Sequence, residues 1–120
     1  MSSGARNHQS GLAAEEIALR SYAADGISLV ARRWRCAHGE IDLVLEGPDG
    51  LIFAEVKTRT SLARAAGSVS PAQWRRIGNA ASLYMAEHGQ DDQPCRFDLV
   101  AVDGTGRCER IENAASFEGW

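Results

Sequence analysis

The chain has 120 residues, 44% of them hydrophobic, the size of one ordinary domain that buries its own core without staples. A formal net charge of −3 excludes a broadly basic surface gripping nucleic acid by counterion release, so any DNA contact has to be local. Cys36, Cys95 and Cys108 are odd in number and lack paired metal-ligand spacing, which excludes a disulfide framework and a zinc knuckle and fits a reducing cytosol. The first nine residues carry no apolar run and no later stretch is long enough to span a bilayer, so a cytoplasmic protein is expected.

Residues 1–10 read as a flexible tail and residues 11–120 as one domain. Residues 11 to 25 form the first expected helix, with Leu12, Leu19, Tyr22 and Ala23 as its apolar stripe. Glu15 falls inside that stripe, and a carboxylate turned inward needs a partner or a metal; the plain alternative is that it bends back to water or caps the helix. Gly26 stops the helix, and Ile27 to Trp34 reads as a strand with Arg32, Arg33 and Arg35 at its far end. Glu40 to Glu46 follows, with Ile41, Leu43 and Leu45 on one face and Glu40, Asp42 and Val44 on the other. The turn residues Gly47-Pro48-Asp49-Gly50 lead into a strand from Leu51 to Thr58, an antiparallel hairpin that lets Asp42 approach Glu55. Residues 59 to 69 and the Gly89 to Pro94 connection read as irregular. Ser70-Pro71-Ala72-Gln73 combines an N-cap, a proline at the first helical position and a capping-box glutamine. The helix it opens buries Trp74, Ile77, Ala81, Tyr84 and Met85 and ends at Gly89. Strands Arg96 to Asp103 and Arg107 to Glu112 complete an αβββαββ order, an α/β fold with a mixed central sheet flanked by helices.

Lys57 is the only lysine in the chain, and it lies two residues from Glu55. Alternation puts Phe53, Glu55 and Lys57 on one face of their strand. Asp42 and Glu55 then supply oxygen ligands for a hard cation, magnesium or manganese, with the Val56 carbonyl as a third. Such an ion polarises a phosphodiester and acidifies a water, while Lys57 orients that water or offsets developing charge. Glu15, a further candidate metal ligand and catalytic carboxylate, and Gln73 converge on the same edge. The plain alternative for Asp42, Glu55 and Lys57 is a surface ion-pair cluster, and for Gln73 a completed capping box.

Gly11-x3-Glu15-x2-Ala18, Gly39-Glu40-Ile41-Asp42-Leu43-Val44, Phe53-Ala54-Glu55-Val56-Lys57-Thr58-Arg59 and Arg96-Phe97-Asp98-Leu99-Val100 occur in this order. By these blocks the chain resembles the YraN-like family of bacterial proteins over nearly its whole length. That family looks like the PD-(D/E)xK nuclease superfamily, with a restriction-endonuclease-like fold related to archaeal Holliday junction resolvases. The resemblance implies metal-dependent cleavage of nucleic acid, with Glu15, Asp42, Glu55 and Lys57 at the positions of the helix carboxylate, the two strand acids and the lysine. Three residues depart from the pattern: Ile41 replaces the superfamily's proline, Arg33 stands where asparagine is common, and Gln73 where lysine is frequent. The segment between Arg59 and Val69 is also short. The expectation is a magnesium-dependent endonuclease-like protein acting on DNA, with branched or junction DNA as candidate substrate. Its phosphate contacts are drawn from Arg32, Arg33, Arg35, Arg59, Arg64, Gln73, Arg75 and Arg76. Cutting a four-way junction would require two sites and hence a homodimer. The alternatives are a non-catalytic nucleic-acid-binding or adaptor protein that keeps the fold, and a protein-interaction module.

Overall fold

Three antiparallel strands meet a parallel fourth. In the computed structural model, which describes residues 3–89 and 92–116 and side chains from residue 11 onward, the elements run as follows. Helix α1 (Ser3–Ala24) precedes β1 (Ser28–Cys36), β2 (Gly39–Gly47) and β3 (Gly50–Thr58). Helices α2 (Leu62–Gly67) and α3 (Pro71–His88) then lead to β4 (Cys95–Val102) and β5 (Cys108–Ala115). The sheet order is β1-β2-β3-β4-β5, antiparallel except for the β3–β4 pair, so β1 and β5 are its edges. The ladders shift register between Leu29 and Ala31 at the first edge and between Phe97 and Leu99 at the second. No helix among the described residues is long and apolar enough to cross a membrane.

Local chemistry accounts for the joints. The Tyr22 carbonyl accepts from the Asp25 and Ile27 amides, and Gly26 follows the last helical turn at φ +75, a left-handed conformation that costs glycine little. Gly47 pairs with Gly50 across a two-residue turn. At Gly50 a side chain would also be impossible for want of space, since a Cβ would lie 2.2 Å from the Pro94 carbonyl oxygen. That close approach lets the neighbouring Leu51 amide donate to the same oxygen at 3.0 Å and fastens the start of β3 to the entry of β4. The capping box of α3 forms as expected: Ser70 Oγ accepts from the Gln73 amide at 3.1 Å and Gln73 Oε1 from the Ser70 amide at 2.8 Å.

Side-chain alternation along β3 sends Ile52, Ala54 and Val56 to the α1 face and Leu51 and Phe53 to the α3 face. The α1 side buries Ala14, Ala18 and Tyr22 against Leu43, Leu45, Val100 and Val102. The α3 side buries Ile77, Ala80, Ala81 and Tyr84 against Phe53 and Phe97, with Trp34 edge-on to Tyr84 at 5.3 Å between ring centroids. Sheet and helices thus form three layers.

The structure differs from the sequence expectation in four places. Helix α1 starts at Ser3, within the segment read as a tail, because adding turns to an established helix needs no new nucleus. Its buried line is Ala14, Ala18 and Tyr22, while Ala23 is exposed; two small side chains let the helix lie close to the sheet and bring the Tyr22 ring into it. The segment 59–69 contains α2, capped by Ser61 and held down by Ala65 and Val69 against Leu99 and Ala101. The order is therefore αβββααββ. Finally, Ile41 does not share a face with Leu43 and Leu45: it packs on the α3 side with Val44.

Candidate active site

The β2–β3 ladder is regular from Gly47↔Gly50 up to Leu43↔Ala54 and then stops. Beyond that point Asp42 inserts its side chain between the strands, and its Oδ2 accepts from the Val56 amide at 2.9 Å, where a main-chain carbonyl would otherwise serve. An extended residue presents its N–H and C=O on the same side, so the Val56 carbonyl faces the gap that Asp42 occupies. Glu55 comes from the neighbouring position on β3 and lies against Asp42, and Lys57 Nζ stands 3.4 Å from Glu55 Oε1. The side chains of Glu55 and Lys57 are only 14% and 20% exposed, unlike a solvated surface pair. The three residues are brought together by a hairpin and one strand alternation.

Burial first and neighbouring negative charge second push both carboxyls upward, Asp42 to about 6 and Glu55 to about 7. Glu15 and Glu40 act on Asp42, and Asp42 acts on Glu55; the Val56 hydrogen bond and Lys57 pull the other way. Two carboxylates with one ammonium leave a negative charge that a hard cation would neutralise. The donor set, two carboxylates and one carbonyl, fits magnesium, which keeps several waters. Among the described residues no cluster of three or more His, Cys, Asp or Glu side chains is poised to hold a metal, so the fit rests on this smaller set.

The raised values carry a stability consequence with a definite sign. Between about pH 4 and 7 the folded chain holds more protons on this pair than the unfolded chain, so stability falls as pH rises through that window. Thermal melting is expected at a lower temperature at about pH 8 than at about pH 5.5, and a cation bound between the two carboxylates would remove most of the difference by taking the place of the protons. A melting temperature that rises with pH would contradict this arrangement.

A cleft of about 150 Å³ opens over Glu55, walled by His38, Gly39 and Glu40 of the β1–β2 hairpin and by Gln73, Arg76 and Ile77 of α3. Gln73 therefore completes its capping box and lines the cleft at once. His38 and Glu40 are wall residues that the sequence reading did not select as site residues; the one available signal was their place at the tip of the hairpin that carries Asp42.

Glu15 is turned inward and 4% exposed, as its place on the helix suggested. Both of its oxygens are taken by guanidinium groups. Oε1 accepts from Arg32 Nε at 3.0 Å and Arg33 Nε at 3.1 Å, and Oε2 from Arg33 at 2.9 Å. Its charge reaches Asp42 without joining the pair. Arg32 also bridges Glu16, and Arg35 bridges Glu40 at 2.8 Å, so these three candidate phosphate contacts are each matched with a carboxylate. Arg59, Arg64, Arg75 and Arg76 are exposed and make no carboxylate pair among the described residues. The uncompensated arginines of the predicted set thus run from the end of β3 into the first turns of α3.

On the α1 face of the sheet, away from the cleft, Asp98 of β4 is fully buried. It accepts from the Tyr22 hydroxyl at 2.7 Å, Arg96 Nε at 3.0 Å and the Asn113 amide at 3.0 Å. Arg110 covers the Tyr22 ring at 4.5 Å and pairs with Asp25 and Glu112. This second charged cluster is fully partnered.

Among known proteins, residues 14–102 match the uncharacterised protein family UPF0102. A UPF0102 protein of a Ruegeria species is 47% identical over 112 residues, covering 92% of this chain and 90% of its own. One from Ruegeria pomeroyi is 49% identical over 115 residues, 94% of this chain and 93% of its own. One from Neisseria meningitidis serogroup C is 36% identical over 109 residues, 89% of this chain and 95% of its own.

Proposed function

The chain belongs to the UPF0102 family, the YraN-like kinship its motifs suggested, and on that premise we propose that it is a metal-dependent nuclease acting on DNA phosphodiesters, with branched DNA as candidate substrate. One observation carries the reading: two largely buried, abutting carboxylates, Asp42 and Glu55, with the chain's one lysine at hydrogen-bonding range of Glu55, which lines a cleft. Burying like charges is costly, and a fold that had no use for the pair would be more stable with apolar groups there.

Asp42, Glu55 and the Val56 carbonyl would hold magnesium, which when bound polarises the phosphodiester and acidifies the attacking water. Lys57 orients that water and offsets charge on the phosphoryl oxygens, a task for which a compact ammonium with three donors suits. Glu15 acts at one remove, fixing Arg32 and Arg33 and adding negative field at Asp42. The exposed arginines from Arg59 to Arg76 steer one phosphate backbone past the cleft, which a chain of net charge −3 achieves only with a local strip.

Each neutralised phosphate contributes about one to the slope of log affinity against log salt. Arg75→Ala with Arg76→Ala is therefore expected to weaken DNA binding and lower that slope by about two in fluorescence anisotropy, while Arg35→Ala, whose guanidinium is already matched by Glu40, leaves it nearly unchanged. The proposal itself is tested by incubating labelled four-way junction, flap, single-stranded and duplex DNA with magnesium, manganese or chelator. Cleavage that needs the metal supports it. Salt-dependent binding with no cleavage of any substrate would favour a DNA-binding adaptor that keeps the fold.

A further inference from the structure

Two consecutive residues of β1 point to the same side of the sheet. Arg32 and Arg33 both reach Glu15 on α1, whereas Ala31 and Trp34 pack on the α3 side. An unbroken strand alternates and would send Arg33 with Ala31. The partner strand breaks alternation at the matching place: Val44 and Ile41 lie on the α3 side and Leu43 on the α1 side. Regular pairs Arg32↔Leu43 and Trp34↔Ile41 flank the break, so the residues between them are Arg33 and Asp42. Arg33 has φ +51, a left-handed conformation unfavourable for a residue with a Cβ. Asparagine tolerates that conformation far better.

We propose that the left-handed backbone at Arg33 is the positioning device of the candidate site. It reverses side-chain alternation in β1 at one residue, obliges β2 to reverse with it at Asp42, and so turns that carboxylate into the plane of the sheet, onto the Val56 amide and beside Glu55. With an extended residue at 33, pairing would continue through Arg33 and Asp42, and the Asp42 side chain would stand off one face like its neighbours. The guanidinium of Arg33, bonded to Glu15, is a separate contribution that helps hold the turned backbone. The functional meaning of this device rests on the metal-site reading above; the turn of Asp42 does not.

Arg33→Gly and Arg33→Ala separate backbone from side chain. Both delete the guanidinium, and only glycine takes positive φ freely. The first readout is hydrogen exchange of the Val56 amide, referenced to the Val100 amide in the core to remove global destabilisation. Arg33→Gly and Arg33→Asn are expected to keep Val56 exchange near the wild-type rate, and Arg33→Ala to speed it about tenfold relative to Arg33→Gly. Manganese affinity, read by electron paramagnetic resonance, should fall by about tenfold in Arg33→Ala and be restored in Arg33→Asn. Equal behaviour of the alanine and glycine proteins overturns the inference. If Arg33→Ala does not fold, the other two decide: loss of Val56 protection in both would mean that the side chain positions Asp42. A wild-type chain that binds no manganese sinks the metal reading alone, since the Val56 comparison needs no metal.

Discussion

Glu55→Ala is expected to abolish metal-dependent DNA cleavage, by about a thousandfold or more, while leaving the protein folded and no less stable. The activity loss follows from removing one of only two carboxylates on which a cation would rest. The stability result follows from the same geometry read in the other direction: burial and the neighbouring Asp42 charge both raise the cost of ionising Glu55, so deleting Glu55 removes that cost. Gel-based cleavage of a labelled substrate and a melting curve on the same preparation measure both. Lys57→Ala should also cut poorly but gain no stability, because it strips the pair of its one ammonium. Cleavage that persists unchanged in Glu55→Ala would remove the assignment. A chain that loses activity only by unfolding would instead mark the pair as structural.

Asp98→Ala is expected to have the largest effect on folding, a loss of about 3 to 5 kcal/mol. The substitution leaves the Tyr22 hydroxyl, the Arg96 guanidinium and the Asn113 amide without their shared acceptor inside the core. It also unfastens α1 from β4, since Tyr22 is the hydroxyl-bearing end of the helix's buried line. Against a total stability of about 5 to 15 kcal/mol for a domain of this size, that is enough to unfold much of the population. Urea denaturation of Asp98→Ala beside Asp98→Asn measures it; the asparagine keeps the shape and part of the hydrogen bonding and should retain more stability. A midpoint unchanged in both would show that the cluster contributes nothing. Asp98 belongs to the Arg96-Phe97-Asp98 block by which the chain resembles its family, and its contacts account for that block by fold rather than by chemistry.

What was legible in the sequence was set by short-range rules. The β2–β3 hairpin, the alternation that pairs Glu55 with Lys57 and the capping box at Ser70 each depend on residues within a few positions of one another, and all are present. The unreadable parts depend on distant partners. Helix α2 is six residues long, too short to announce itself by periodicity, and is held by Ala65 and Val69 against β4. The buried line of α1 runs through alanines, whose small side chains carry little pattern. That Glu15 would meet Arg32 and Arg33 required knowing that both arginines turn the same way, which only the left-handed backbone at residue 33 makes true.

The register shifts at both edges of the sheet have a consequence for the company this chain keeps. An edge strand presents a row of unpaired amides and carbonyls that invites a foreign strand to add on, and exposed Leu29 and Val30 would strengthen that invitation on β1. The register shift falls beside those two residues, and Arg33 breaks the strand again three positions later. β5 is interrupted in the same manner, with Asn113 also left-handed. Each edge is therefore a poor template for aggregation. Neither border of the sheet is flat enough to continue readily into a neighbouring chain.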